Sequence, residues 1–318
     1  MIALLKRRLL QAMLVAWSVG TLTFVLMHLL PGDFAYRIAA GRYGYDQVNK
    51  LAADAVHVEL GLADPAWLQY LSWLWDLLRF DLGNSLISGA PVLQEIQHQL
   101  GHSLQLALFA TVFSLLIAVP IGVYCGKRAK GPADQLCLMI STLLRAQPVF
   151  VIGLVLVLIF ALQLGWFPVA GFGGSQYLIL PAISLALTMA ALSNRIIRNN
   201  TASVMGSPYM QFARLKGLNA EQAFARHAAP NIALPVIAFV GVQAIALIEG
   251  IVMIESLFSW PGIGHALAHA IFGRDVPMIQ ASALLMGLLF VLINTVVDLL
   301  GYWLDPRQQP QPKKRGAQ

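Results

Sequence analysis

Apolar residues in this chain gather into long uncharged runs separated by shorter polar stretches. The first run, residues 9–30, has 22 residues without Lys, Arg, Asp or Glu. A helix of that length crosses the roughly 30 Å hydrocarbon core of a bilayer. Pro31-Gly32-Asp33 then breaks it. Five further runs follow, at about 103–125, 136–164, 178–195, 232–257 and 279–303. The pattern predicts an all-α integral membrane protein with six transmembrane helices. Residues 31–98 form the one long polar segment, expected as an external insertion after the first span. Its stretch 67–80 is amphipathic, and Trp67, Trp73 and Trp75 suit a membrane–water interface. This segment reads either as a packed extramembrane cap or as a contact surface for a partner. The expected organisation is an anchor helix at 1–30, the external segment at 31–98, a five-span core at 99–305 and a basic tail at 306–318.

One stretch inside the apolar second half is too polar to cross a bilayer. Residues 207–235 read SPYMQFARLKGLNAEQAFARHAAPNIALP. Ser207 is a suitable N-cap and Pro208 stands in a first turn, where proline is tolerated. The helix so begun runs through Lys216 and stops at Gly217, which supplies a left-handed residue after the helix. Asn219 caps a second helix, with Gln222 placed to complete a capping box. Pro230 is expected to end that helix. The result is a helix–Gly–helix corner, made basic by Arg198, Arg214, Lys216 and Arg226. It is either a solvated loop with helical turns or a knob that docks a cytoplasmic partner.

Composition supports the membrane reading. The chain has 318 residues, 58% hydrophobic and 11% charged, where soluble domains carry about 25% charged residues. Its mean hydropathy is +0.69. The net charge of +6 bears on topology. Lys6-Arg7-Arg8 precede the first run, which is too long for a signal-peptide core and lacks an A-x-A site, so a retained anchor is expected. Residues 31–98 carry four basic and eight acidic residues, a net charge of −4. With the N-terminus inside, fifteen Lys/Arg fall on the cytoplasmic side and five outside. Both termini and the 207–230 corner are then cytoplasmic. No basic patch is interleaved with aromatics in a polar context, so nucleic acid is not an expected partner. Cys125 and Cys137 lie near the ends of adjacent spans, where a reducing face argues against a disulfide and two lone thiols argue against a metal site.

Candidate chemistry is sparse. There is no GxxxxGK[ST], GxSxG or HExxH sequence, and no catalytic residue is assigned. The chain therefore offers no ATP site of the P-loop kind. His265 and His269 are four apart and share a helix face. They are weak metal candidates beside the plainer reading of solvated loop histidines. Arg145, Glu249, Glu255 and Asp298 fall within spans, where ionisable groups are expensive. Arg145, Glu249 and Glu255 are candidates for a polar translocation path, with a structural Arg145–Glu249 or Arg145–Asp298 pair as the alternative. Gly241, Gly250 and Gly287 are positions where spans can approach closely. Two other classes stay open on these residues alone: an intramembrane enzyme using Glu249, Glu255 and the histidines, and a stand-alone channel or carrier. The missing catalytic constellation weighs against the first, and a corner without purpose inside the chain weighs against the second.

The corner resembles the EAA loop of ABC-transporter permeases. Ala213 falls on the second Ala of that motif, Gly217 on its glycine and Pro230 on its closing proline. Gln211 stands at the Glu position and Phe212 at the first Ala, a departure that matches the dipeptide/oligopeptide/nickel branch. The resemblance extends along nearly the whole chain. It includes Leu29-Leu30-Pro31-Gly32-Asp33, Glu59-Leu60-Gly61-Leu62, Asp81-Leu82-Gly83-Asn84-Ser85, Pro148-Val149-Phe150 and Gly165-Trp166-Phe167-Pro168. It continues through Glu255, the run from Phe258 to Gly264, Arg274-Asp275 and Asp305-Pro306-Arg307. The resemblance implies an inner-membrane permease subunit, not an enzyme, forming half of a path for di- or oligopeptides, with nickel or a metal chelate as the alternative. It implies two ATP-binding subunits, a second homologous permease and a solute-binding protein as partners, with ATP and Mg held by the ATPases and no cofactor held by this chain. Gln211, Ala213, Gly217, Asn219, Arg226 and Pro230 are the coupling residues so implied.

Overall fold

The computed structural model describes residues 2–29, 34–43, 50–59, 65–79 and 81–304. Among the described residues there is no strand, only an isolated bridge between Asn84 and Pro91. The helices are α1 (Ile2–Leu29), α2 (Phe34–Tyr43), α3 (Lys50–Glu59), α4 (Ala66–Leu78), α5 (Val92–Lys127), α6 (Pro132–Ala146) and α7 (Val149–Leu156), which a π-helical stretch extends over Val157–Gln163. They continue with α8 (Ser175–Met205), α9 (Pro208–Leu215), α10 (Ala220–Ala223), α11 (Ala229–Phe258), α12 (Ile263–Gly273) and α13 (Val276–Leu304). Pro31-Gly32-Asp33, Leu60 to Leu62 and Asp305-Pro306-Arg307 lie outside the described residues.

Among the described residues, five helices are long and apolar enough to cross a membrane, or up to seven if each of two bent pairs is one span. The expected span 136–164 falls on one such pair. Instead of one continuous helix, α6 and the stretch Val149–Gln163 meet at a bend of 105°. Pro148 is the cause. A residue before proline is pushed out of the helical region, and Gln147 is extended at φ −95 and ψ 137. The second pair bends by 74° between Gly250–Phe258 and α12. Residues 258–278, between the last two apolar runs, are thus largely helical. The helix expected to start near residue 103 starts at Val92. Its 36 residues give a length of about 54 Å, well beyond the hydrocarbon thickness.

The chain divides into two compact units. The first comprises Met1–Leu106, Phe160–Pro181 and Ile251–Val291. In it, the inner face of α4 lies on α1. The Trp73 ring fills the space above Gly20, and the Thr21 and Tyr70 hydroxyls are 2.8 Å apart. Helices α2 and α3 enclose Ala35, Ile38, Ala39 and Val56. A third cluster joins Val92 and Ile96 of α5 to Ala270, Met278, Ile279 and Ala281. At Gly287 an added Cβ would sit 2.8 Å from Val15, so α13 and α1 touch through that glycine.

The second unit comprises Ala107–Ile159, Ala182–Gly250 and Leu292–Gln318. Small residues again set the helix approach. A Cβ at Gly122 would lie 2.8 Å from Ile197, and one at Gly241 would lie 2.8 Å from Val297. Polar side chains then join the helices. Asn194 of α8 donates to Ser141 at 3.1 Å and to the Cys137 sulfur at 2.8 Å, both on α6. Gln243 of α11 donates to Ser193 of α8.

Candidate functional site

The corner forms within the second unit. Pro208 opens α9, and the Met210 amide donates to the Ser207 carbonyl at 3.1 Å. The Ser207 hydroxyl departs from its expected capping role and donates back to the Val204 carbonyl at 2.5 Å. Gly217 has φ +88, the left-handed conformation that ends α9 without a Cβ clash. The Leu218 amide returns to the Ala213 carbonyl at 3.3 Å, the long bond of a Schellman ending. Asn219 and Gln222 form the reciprocal capping box that their spacing predicts, with the Gln222 amide 2.8 Å from Asn219 Oδ1.

Pro230 does not end the second helix. Helix α10 runs through a π-helical turn, Phe224–Ala228, directly into α11, and Ala220–Ile248 is a single apolar span of 29 residues. The wider turn accounts for this. The Ala229 amide reaches back five residues to Phe224, which relieves the proline clash expected in a regular helix. The Asn231 side chain donates to the His227 carbonyl at 2.7 Å, supplying a donor next to the missing proline N–H. The second half of the corner is therefore the end of a membrane helix.

The corner has an inner and an outer face. Met210, Ala213, Ala223, Ala228 and Ile232 are buried together with Ala118, Ala190 and Ile197. Gln211, Gly217, Asn219, Arg226 and Pro230 are exposed, whereas Ala213 is buried. The Arg214 side chain lies outside the described ones. Tyr209, Phe212 and Leu215 also point outward, with Leu215 85% exposed. Lys127 of α5 places its ammonium 3.8 Å from the centre of the Phe224 ring. The result is a capped knob with an apolar and basic outer surface.

The charged groups within the spans divide into different environments. Glu255 is completely buried in the first unit. It accepts from the Ser103 hydroxyl at 2.5 Å, the Gly264 amide at 2.7 Å and the His265 amide at 3.4 Å. Ser103 also accepts from the Ile263 amide at 2.9 Å. A Cβ on Gly262 would overlap the Glu255 carboxylate. The carboxylate thus ties the reversal between α11 and α12 to α5. Trp260 adds a bond to the His102 carbonyl at 3.0 Å. In the same unit, Asp275 accepts from the Ser85 hydroxyl and from the Leu86 amide at 3.1 Å. Two of the short sequences noted above, around Asn84-Ser85 and Arg274-Asp275, meet there.

Arg145 is exposed at the last turn of α6 and lines a cavity with Arg195 of α8. The Glu249 side chain lies outside the described ones. His265 and His269 stand on α12 with ring centres 4.5 Å apart, and no third metal-binding side chain joins them among the described residues. Sequence reasoning missed Asp134. It is buried, forms a two-point ion pair with Arg198, and accepts from the Lys130 amide at 2.7 Å. Its only signal was an acid four residues after the basic run that ends at Lys130.

A helical, multi-pass membrane protein with a polar corner between apolar helices fits one class, the inner-membrane permease subunit of an ABC importer. Comparison with known proteins gives the family. Residues 118–310 match the binding-protein-dependent transport system inner membrane component, and residues 1–107 match the N-terminal component of the same systems. The chain belongs to this family. A protein of Brucella suis biovar 1 (strain 1330) named as a peptide transport system permease is 36% identical over 315 residues, covering 96% of this chain and 99% of its own. The glutathione transport system permease protein of Salmonella paratyphi A is 34% identical over 288 residues, covering 91% and 92%. An amino acid ABC transporter crystallised with histidines shares the fold, with a TM-score of 0.51, 17% identity, and coverage of 66% of this chain and 93% of its own.

Proposed function

We propose that this permease carries di- or oligopeptides and supplies half of the path, with a second homologous permease supplying the other half. The observation that carries the substrate class is similarity along nearly the whole chain to permeases named for peptide and glutathione transport; glutathione is itself a tripeptide. In this reading both termini and the corner face the cytoplasm, as the charge distribution favours. A solute-binding protein delivers the peptide from outside. Two ATP-binding subunits, holding ATP and Mg, each receive the corner of one permease.

The corner is suited to that role because it is stiff. Both of its helix ends are capped, and its second helix continues into a span. A displacement applied to α10 is then transmitted to α11 through continuous helix. Buried as it is, Glu255 serves in this reading as a clamp for the α11–α12 reversal. The test is ATP-dependent uptake into proteoliposomes holding the complete complex and its binding protein. Accumulation of a labelled tripeptide, with no accumulation of nickel ions, is expected. Nickel uptake without peptide uptake would replace the substrate class.

A further inference from the structure

The second unit holds a cavity of about 270 Å³ lined by Leu138, Ser141, Thr142, Arg145, Ala191 and Arg195. Four of these residues lie at successive turns on one face of α6, and Ala191 and Arg195 lie one turn apart on α8. Among the described residues, no acidic side chain lines the cavity. The acid on α6, Asp134, is buried against Arg198 and already neutralised. Neither Arg145 nor Arg195 has an acidic partner among the described residues. Two arginines thus line one space without a counter-charge among the described residues. The planar fork of arginine matches a carboxylate or phosphate.

The neighbouring hydroxyl is prepared for the same ligand. Asn194 donates to Ser141 Oγ at 3.1 Å, which occupies the oxygen as an acceptor and leaves its hydrogen to be given elsewhere. The Asn194 side chain is itself buried and fixed by its second bond to Cys137. Two cations and one oriented O–H donor form an oxyanion site, and the volume admits a group about the size of one amino-acid residue.

We propose that the Arg145–Arg195 cavity binds an oxyanion, a carboxylate or phosphate carried on a larger molecule. The source is either the C-terminal carboxylate of a solute or the phosphate of a membrane lipid, and the chemistry of recognition is shared. This inference does not depend on peptides being the transported solute.

The test uses the full-length protein in phosphatidylcholine nanodiscs. Its thermal midpoint is measured with trialanine, with trialanine amide, and in nanodiscs containing phosphatidylglycerol. Stabilisation by the free acid but not the amide identifies a solute carboxylate. Stabilisation by phosphatidylglycerol alone identifies a lipid phosphate. In either case Arg145→Gln and Arg195→Gln each weaken the apparent affinity about 10-fold. Ser141→Ala weakens it less, and Arg145→Lys restores only part. Because both arginines are exposed, each single variant should fold at the wild-type level, which the midpoint without ligand checks. Absence of stabilisation by any of these anions, or equal stabilisation of the wild type and both Gln variants, overturns the proposal.

Discussion

Glu255 receives three hydrogen bonds in a place that solvent does not reach. Removing such an acceptor leaves buried donors unpaired, which costs more than the bonds themselves contribute. Glu255→Ala should lower the stability of the folded protein by about 3 kcal/mol, read as a fall in thermal midpoint in detergent. Ser103→Ala should fall in the same direction by less. If Glu255→Ala instead keeps its midpoint and loses only transport, Glu255 lines the path. A parallel case is Asp134, whose change to Asn should destabilise by about 2 kcal/mol because the half-buried Arg198 loses its carboxylate partner. Converting Arg198 to Met in the same chain should recover part of that loss, and no recovery would mean that the pair is not the source of the effect. Glu255 was legible in the sequence as a charge in a span, but its role was not. Ser103, its principal partner, stands 152 positions away. Asp134 and Arg198 are 64 apart, and nothing local marks them as a pair.

At the scale of single elements, local chemistry was the most readable. The glycine ending at Gly217 and the Asn219–Gln222 box depend on a few adjacent residues, and both formed as their spacing predicts. Prolines were read less well. Pro148 breaks a predicted span by 105°, whereas Pro230 interrupts nothing. The difference lies in the surrounding turn: residue 147 is extended, and the residues before 230 open into a π-helical turn that absorbs the proline. The left-handed Gly217 yields a prediction. Any side chain there costs about 1 kcal/mol or more, most for a β-branched one. The surroundings of the glycine are open, so the loss comes from backbone conformation and not from collision. Gly217→Val should insert at normal levels, re-aim α9 relative to α10, and abolish peptide-stimulated ATP hydrolysis in the reconstituted complex. Wild-type stimulation would reduce the corner to a connecting loop.

Over the whole molecule, the class was legible because a bilayer demands long apolar helices, and a sequence displays length and polarity directly. The number of crossings was harder to read, since each bent pair of helices lets the chain enter the membrane without a straight passage. The central claim is that the 207–230 corner lies in the cytoplasm and seats an ATPase subunit. Asn84 and Leu215 are both exposed and belong to segments assigned to opposite sides. The direct measurement places a single cysteine at one or the other in a chain whose Cys125 and Cys137 are serine, coexpressed with the other subunits. Asn84→Cys should react with an impermeant thiol reagent applied outside the intact cell. Leu215→Cys should be protected there and should give a covalent adduct with the ATPase subunit when a short bifunctional thiol–amine reagent is added to inverted vesicles. Labelling of Leu215→Cys from outside, or normal accumulation of the complex with no ATPase adduct, would contradict the account.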